Sequence, residues 1–278
     1  MPTLTYRASQ VGELLFTAIG QERLAKKVGK LRYDYVAPLR SDTTYFHLTH
    51  PKAGSQWVQS ILVDLYRDKV VTNLPKAGSV ADGLAAGTFY TSLYLSDWQL
   101  AQLGLPGEKK LFFVMRDIRD AAVSLYFSLK KSHPITDEFV TESRETLKSL
   151  SKEEGLMMLT ERNVRNFARI QSSWLSRPDI CFRFEDLVCN PREGLSTILR
   201  DTLDLELSDT MLNWMVEKYS FQKMSGGRKP GEENEDSHLR SGKPGNWREH
   251  FTPAVTERFK ELHGQHLVNA GYETDLNW

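Results

Sequence analysis

The stretch from Tyr45 to Tyr66, YFHLTHPKAGSQWVQSILVDLY, constrains the fold more than any other part of this chain. Tyr45, Phe46 and Leu48 form a short apolar run that reads as a buried strand. Pro51-Lys52-Ala53-Gly54-Ser55-Gln56 follows as a tight turn. Trp57, Val58, Ile61, Leu62 and Leu65 then recur at helical spacing. Strand, small-residue turn and helix together make an anion cradle. The free amides of the first helical turn point into the loop, and the helix dipole adds partial positive charge. Lys52 adds a full charge. The turn is not a Walker A loop, which needs GxxxxGK followed directly by Ser or Thr. Here Lys52 precedes Gly54 and Ser55. On the turn alone, an ordinary strand-to-helix connection with a solvated Lys is an equal reading.

The rest of the chain repeats the alternation. Tyr45–Thr49, Leu111–Met115 and Ile180–Phe184 read as short buried strands, and each precedes a helical pattern, at Gln56–Arg67, Asp117–Lys130 and Pro191–Leu203. This predicts an α/β fold in three layers, a mostly parallel sheet flanked by helices. Residues 160–176 and 252–269 add helices, the latter capped by Thr252 with Pro253 in its first turn. The polar interval 132–154 reads as a surface excursion or lid-like insertion. Residues 225–246 hold five glycines and two prolines and read as a long functional loop. Val11 to Lys30 reads as an amphipathic helix. The organisation expected is one domain over 1–278, with a helical extension over 1–40 and 225–246 as a glycine-rich loop covering the ligand.

Composition narrows the function. Lys plus Arg and Asp plus Glu both total 36, so the net charge is zero, which argues against a general nucleic-acid binder. Cys181 and Cys189 make no disulfide framework, and the seven scattered histidines contain no HExxH, so no metal is expected. No signal-peptide pattern leads the sequence, and no uncharged apolar run approaches the roughly 20 residues that cross a bilayer. The compartment expected is the cytoplasm.

Two further anchors support the first. Arg116 leaves the carboxyl end of a predicted strand, where open α/β sheets bind ligands, and Ser124 lies eight residues on, in the following helix. The fork of Arg suits a phosphate. Arg240, Ser241 and Gly242 lie within the long loop, where a glycine lets backbone amides approach an anion. Each has a plainer reading: Arg116 paired with Asp117 or Asp120, and the loop as a charged linker.

Taken in order, these motifs resemble those of cytosolic-type sulfotransferases, which use 3′-phosphoadenosine 5′-phosphosulfate (PAPS) and release 3′-phosphoadenosine 5′-phosphate (PAP). HPKAGSQW is similar to the family's PKSGTTW loop for the 5′-phosphosulfate. MRDIRDAAVSLYFSL is similar to RNxKDxxVSxYxF, and RSGKPGNWREHFT to RKGxxGDWKxHFT. FRFEDL with Asn190-Pro191, and YSFQKM, are weaker echoes. The resemblance implies a P-loop-like 5′-phosphosulfate loop built from Lys52, Ala53, Gly54, Ser55 and Gln56. It implies a 3′-phosphate site at Arg116, Ser124, Arg240, Ser241 and Gly242. Trp57, Phe184 and Phe221 would line the nucleotide, and Lys52 would also neutralise the bridging oxygen. The implied reaction moves a sulfuryl group onto a hydroxyl or amine of a small molecule, without a metal. A homodimer is also open, because Arg248, Thr252 and Glu257 approximate the family's KxxxTVxxxE segment, with Pro253 in place of Val.

The chain departs from the pattern at three places. Ser55-Gln56 replaces Thr-Thr, and Ser241 replaces a Lys. The family's base, a His in a KTHL-like segment, has no counterpart in Thr88–Ser96, TFYTSLYLS. Ser92 or Tyr94 stands there instead, and neither is a good base at neutral pH without help. His50, His238 and Asp64 are the other candidates for the proton acceptor. A structural histidine is the plainer reading of His50, and a solvated loop residue that of His238. The missing His also raises the alternative of a catalytically impaired module that binds PAPS or PAP. A kinase-like P-loop enzyme is the third reading, opposed by the Walker A spacing.

Overall fold

The computed structural model describes residues 36–72, 84–103, 107–135 and 137–278. The expected helix at Val11 to Lys30 lies outside these residues, as do most of the 1–40 extension and parts of three connections. In chain order the elements are β1 (Thr43–Thr49), α1 (Ser55–Tyr66), β2 (Val70–Val71), β3 (Phe89–Leu93), α2 (Asp97–Ala101), β4 (Glu108–Met115) and α3 (Ile118–Phe127). Then come α4 (Glu138–Ser149), α5 (Lys152–Arg162), α6 (Val164–Trp174), β5 (Cys181–Arg183), α7 (Phe184–Cys189), α8 (Pro191–Ser196), α9 (Asp209–Lys218), α10 (Phe221–Met224) and α11 (Pro253–Asn269).

The five strands form one parallel sheet in the order β2-β3-β1-β4-β5. Phe46 pairs with Leu111 and Leu48 with Phe113. Successive side chains leave a strand on opposite faces, and both faces are covered. Tyr45, Phe112 and Val114 pack with Val58, Ile61 and Leu65 of α1 and with Leu195 and Met215 of the later helices. Phe46, Leu48, Phe113 and Met115 face Ile170 and Trp174 of α6. A third cluster joins α3, α5 and α11 through Val123, Leu156 and Phe259. The sheet therefore sits between two helical layers, as the alternation predicted. Strand order reverses between β1 and β4, so the crevice beyond their carboxyl ends is where an open sheet takes a ligand.

Several expectations need correction. The interval 132–154 is largely helical: α4 carries Val140 and Leu147 into the core, and Asp137 caps it by accepting from the Val140 amide at 3.0 Å. Its polarity reflects a short amphipathic helix with one narrow apolar face. The helix expected to Lys130 is regular only to Phe127 and widens into a π-helical turn over Ser128–Ser132. The helix after Pro191 widens likewise over Thr197–Thr202. The edge strand β5 is shorter than the apolar run suggested, because Phe184 already opens α7. Residues 225–246 have no strand and almost no helix, yet they are cross-braced. Gly231 donates to Ser241 O at 2.8 Å and Asn234 to Arg240 O at 3.0 Å.

Strand β3 was not anticipated. Tyr90 pairs with Phe46 and Leu93 with Leu48, so Thr91 and Ser92 together oppose His47. This is a β-bulge, and Ser92 has φ 61° within it. His47 closes the bulge: its Nδ1 accepts from the Ser92 amide at 3.3 Å and lies 2.8 Å from Thr91 Oγ1. The bulge turns the Ser92 hydroxyl toward α1, where it donates to Gln59 Oε1 at 2.9 Å.

Candidate active site

The loop from β1 to α1 is shaped by two left-handed residues, Lys52 at φ 68° and Gly54 at φ 82°. Gly54 is required twice over, since a Cβ there would also lie 2.4 Å from the Phe184 ring. With Gly54 at the N-cap, α1 begins without a side-chain cap. The amides of Gly54, Ser55 and Gln56 donate to no acceptor among the described residues. Ala53 is buried beneath them and the Gln56 side chain is exposed. Such a group of unspent amides at a helix start favours an anion.

Two cations complete this corner. The Lys52 ammonium has no hydrogen bond or ion pair among the described residues. Burial, with the neighbouring Arg116 guanidinium, lowers its pKa to about 8. Arg116 Nη1 donates to Lys52 O at 3.1 Å, and its guanidinium lies 5.0 Å from the Phe184 ring centre. Its Nη2 is only loosely paired with Asp120, at 3.7 Å, and its Nε is buried without a partner among the described residues. Two like charges held together in a half-enclosed place repel, and an anion between them relieves both.

His50 fixes this arrangement instead of reacting in it. It is fully buried, and its Nδ1 donates to Pro51 O at 2.9 Å. Its Nε2 accepts from the Arg116 amide at 3.0 Å and from the Gln171 side-chain amide at 2.7 Å. Burial lowers its pKa to about 3. With both nitrogens occupied, His50 ties the end of β1 to the end of β4 and has no site left for an acceptor's proton. Asp64 is also misplaced for that role. It pairs with Lys218 at 2.7 Å, nine residues along α1 from Ser55, or roughly 14 Å at ~1.5 Å per residue. Ser92 does reach the loop, with its hydroxyl 3.4 Å from Ser55 O, and the Tyr94 hydroxyl lies 3.2 Å from Ser55 Oγ.

The other predicted residues gather on α3 and the long loop. Every residue of α3 is buried except Ser124. Ser124 shares a helix face with Phe127 three residues on, and the Arg240 guanidinium lies 4.8 Å from the Phe127 ring centre. Arg240 Nη2 donates to Asn246 Oδ1, Nη1 pairs with Glu233 at 2.7 Å, and Nε is buried without a partner. Ser241 Oγ is likewise buried and, among the described residues, unpartnered. Gly242 has φ 65°, and a Cβ there would lie 2.2 Å from the Phe221 ring. Trp57 donates from Nε1 to Tyr219 O at 2.9 Å and meets Phe184 edge-on. Asp120 joins the two halves. Its carboxylate accepts from the Gly245 amide at 2.7 Å and the Trp247 amide at 2.9 Å while facing Arg116. The plainer pairing expected for Asp117 goes to Arg119 instead, at 2.7 Å.

These orphaned buried groups fit a ligand with anions at two ends. The family comparison decides which kind of protein carries them. A model of the sulfotransferase domain matches residues 98–271, well over half of the chain. The chain belongs to the sulfotransferase family. This sulfotransferase is 25% identical over 258 residues to sulfotransferase 1A1 of Canis lupus familiaris, covering 80% of this chain and 83% of that one. It is 26% identical over 276 residues to the 3-alpha-hydroxysteroid sulfotransferase of Cavia porcellus, covering 86% and 88%. In fold it is similar to mouse sulfotransferase SULT7A1 complexed with PAP, with a TM-score of 0.59, 16% identity and coverage of 86% and 88%. Retinol dehydratase in a complex with retinol and PAP gives 0.53, with 17% identity and coverage of 84% and 83%. The matched span of this sulfotransferase includes Arg116, Ser124 and Arg240, while Lys52 precedes it.

Three participants in the site escaped the sequence reading. His133 stands in the interval that reads as a surface excursion, yet burial first and the Lys52 charge second lower its pKa. Glu233 and Asp120 were not singled out as partners of Arg240 and of the loop amides. Among the described residues no helix is long and apolar enough to cross a membrane, and no cluster of three His, Cys, Asp or Glu could hold a metal.

Proposed function

We propose that this sulfotransferase uses PAPS to sulfate a hydroxyl or amine of a small-molecule acceptor. One observation carries the reading. Lys52 and Arg116 are held side by side against three amides that, among the described residues, are unspent, and Lys52 has no partner of opposite charge among those residues. When bound, the donor supplies an activated sulfuryl group. The amides of Gly54, Ser55 and Gln56 and the ammonium of Lys52 would hold its 5′ end. Arg116, Ser124, Arg240, Ser241 and the Gly242 backbone would hold the 3′-phosphate. Trp57, Phe184 and Phe221 would bound the base between them. Lys52 stabilises the charge that develops on the bridging oxygen. The two structural neighbours complexed with PAP support the choice of nucleotide.

The same proposal treats residues 1–278 as one domain, with 225–246 covering the donor. It places the protein in the cytoplasm, with Cys181 and Cys189 both unpaired. A homodimer through Arg248, Thr252 and Glu257 belongs to it as well, although Thr252 is already used to cap α11.

Transfer of radiolabelled sulfate from PAPS to a broad panel of phenols, alcohols and amines tests the reading. Lys52→Ala should abolish turnover, and Arg116→Ala should act mainly through donor affinity. Normal turnover in both variants would sink it. Tight PAP binding with no transfer to any acceptor would favour the impaired binding module instead.

A further inference from the structure

The acceptor's proton needs a destination, and none of the expected groups supplies one. His50 has both nitrogens taken, and Asp64 lies too far along α1. His238 is an exposed residue of the long loop with no hydrogen bond among the described residues. Ser92 is spent as well, since its hydroxyl donates to Gln59 Oε1 at 2.9 Å.

Tyr94 stands two residues beyond Ser92, just past the carboxyl end of β3 and beside the loop that leaves β1 in parallel. Both sides of it are anchored. On one side the bulge holds Ser92 at φ 61°, and the Ser92 amide donates to the buried His47 ring at 3.3 Å. A non-glycine residue keeps such a conformation only where its surroundings fix it, and bulges often re-aim side chains beside active sites. On the other side Trp174 Nε1 donates to Leu95 O at 2.9 Å, and the Ser96 amide donates to Gln99 Oε1 at 2.9 Å. Leu93 and Ser96 are buried, while the Tyr94 residue between them is 44% exposed.

The phenol oxygen of Tyr94 lies 3.2 Å from Ser55 Oγ. Ser55 is buried at the first position of α1, and its amide is one of the three unspent ones. One end of this hydroxyl pair therefore belongs to the donor loop. The other end opens to solvent at the crevice beyond the strands, where an acceptor enters. A hydroxyl both donates and accepts. It can take a proton on one side while it gives one up on the other, so neither oxygen has to be a strong base.

We propose that Tyr94 and Ser55 form a relay of two hydroxyls that carries the acceptor's proton to the donor's leaving group. The proposal rests on the sulfuryl-transfer reading above. In the step, the acceptor oxygen forms a bond to sulfur as the donor's bridging S–O bond breaks. The electron pair of that bond stays on the departing phosphate. The acceptor's proton passes to Tyr94 Oη, the phenol proton to Ser55 Oγ, and the Ser55 proton to an oxygen of that phosphate. Each hydroxyl ends with the one proton it began with. Ser92, at the position of the family's KTHL-like segment, then serves only to hold the bulge that aims Tyr94.

The test uses the full-length chain and two acceptors, phenol and the more acidic 4-nitrophenol, with PAP affinity measured by calorimetry. Tyr94→Phe keeps the ring and removes the relay oxygen. It should lower kcat on phenol by about 10²–10⁴-fold. The loss on 4-nitrophenol should be much smaller, because that proton leaves with little help. PAP affinity should stay within about threefold. Ser55→Ala, at saturating donor, should show the same acceptor dependence. The double variant should be no slower than the slower single one, because one broken link already stops a relay. An unchanged kcat on phenol in Tyr94→Phe, equal losses on both acceptors, a PAP affinity outside that range, or additive losses in the double variant each overturn this proposal alone. A wild-type chain that binds PAP yet transfers to no acceptor in the panel overturns the sulfuryl-transfer reading and this proposal with it.

Discussion

The carboxylate of Glu233 lies 2.7 Å from the guanidinium of Arg240, and among the described residues no other carboxylate pairs with that guanidinium. A 3′-phosphate approaching Arg240 must therefore displace or share a carboxylate already in place. Glu233→Gln removes the competing charge and keeps the side chain's size. Its affinity for PAP should rise about tenfold, equivalent to ~1.4 kcal/mol. Calorimetric titration reads this directly, and weaker binding would show that Glu233 orients Arg240 instead of competing for it.

Lys52 makes ligand binding depend on pH in a defined window. Its pKa in the free fold is lowered from 10.5 to about 8, so it loses its proton as pH rises past 8. For the free fold, the cost of holding the charge is present below about 8 and is relieved between 8 and 10.5. A bound anion restores the ammonium, so PAP binding should take up a proton across that window. Affinity should fall by up to about tenfold per pH unit above 8. Calorimetry in buffers of different ionisation heat would detect the uptake, and its absence would place the anion away from Lys52.

The buried histidines predict acid lability. His47 and His50 are held neutral, each with a pKa of about 3 set by burial. The unfolded chain protonates them near 6.5, so stability is lost as pH falls below that value. Each contributes a slope of up to ~1.4 kcal/mol per pH unit between 6.5 and the folded pKa. His50→Asn should make the slope shallower by one proton. Urea unfolding at several pH values between 7 and 5 measures it, and a flat dependence would contradict neutral burial.

Gly54 admits no side chain. Gly54→Ala meets the Phe184 ring at 2.4 Å and a positive φ at the same residue. It should destabilise the fold by about 1–3 kcal/mol and impair PAP binding. Adding Phe184→Ala removes the clash at the cost of that ring's own packing on Trp57 and Arg116, so the double variant should lose less than the sum of the two single losses. Thermal unfolding of the single and double variants separates the two terms.

Much of the site was legible because its motifs are contiguous and obey local rules. The loop from Pro51 to Gln56 sits between a strand and a helix in sequence, and Arg116 sits at a strand's end, so neither needs tertiary information. Strand β3 is hidden because polar Thr91 and Ser92, at its bulge, interrupt the short apolar run by which the other buried strands are recognised. Asp64 was chosen for its chemistry, but helical rise carries it away from the loop. His50 was chosen for its proximity to Lys52 in sequence, and only the packing of Gln171 and Arg116 reveals that both its nitrogens are taken. His133 is recognisable only once the chain has folded back over some eighty residues to face Lys52.

Asp120 gives the site a place in time. The amides it holds, Gly245 and Trp247, lie 125 and 127 residues further along the chain. During synthesis Lys52, Arg116 and Asp120 emerge long before those partners exist. The seam between α3 and the long loop therefore closes only once nearly the whole chain has been made.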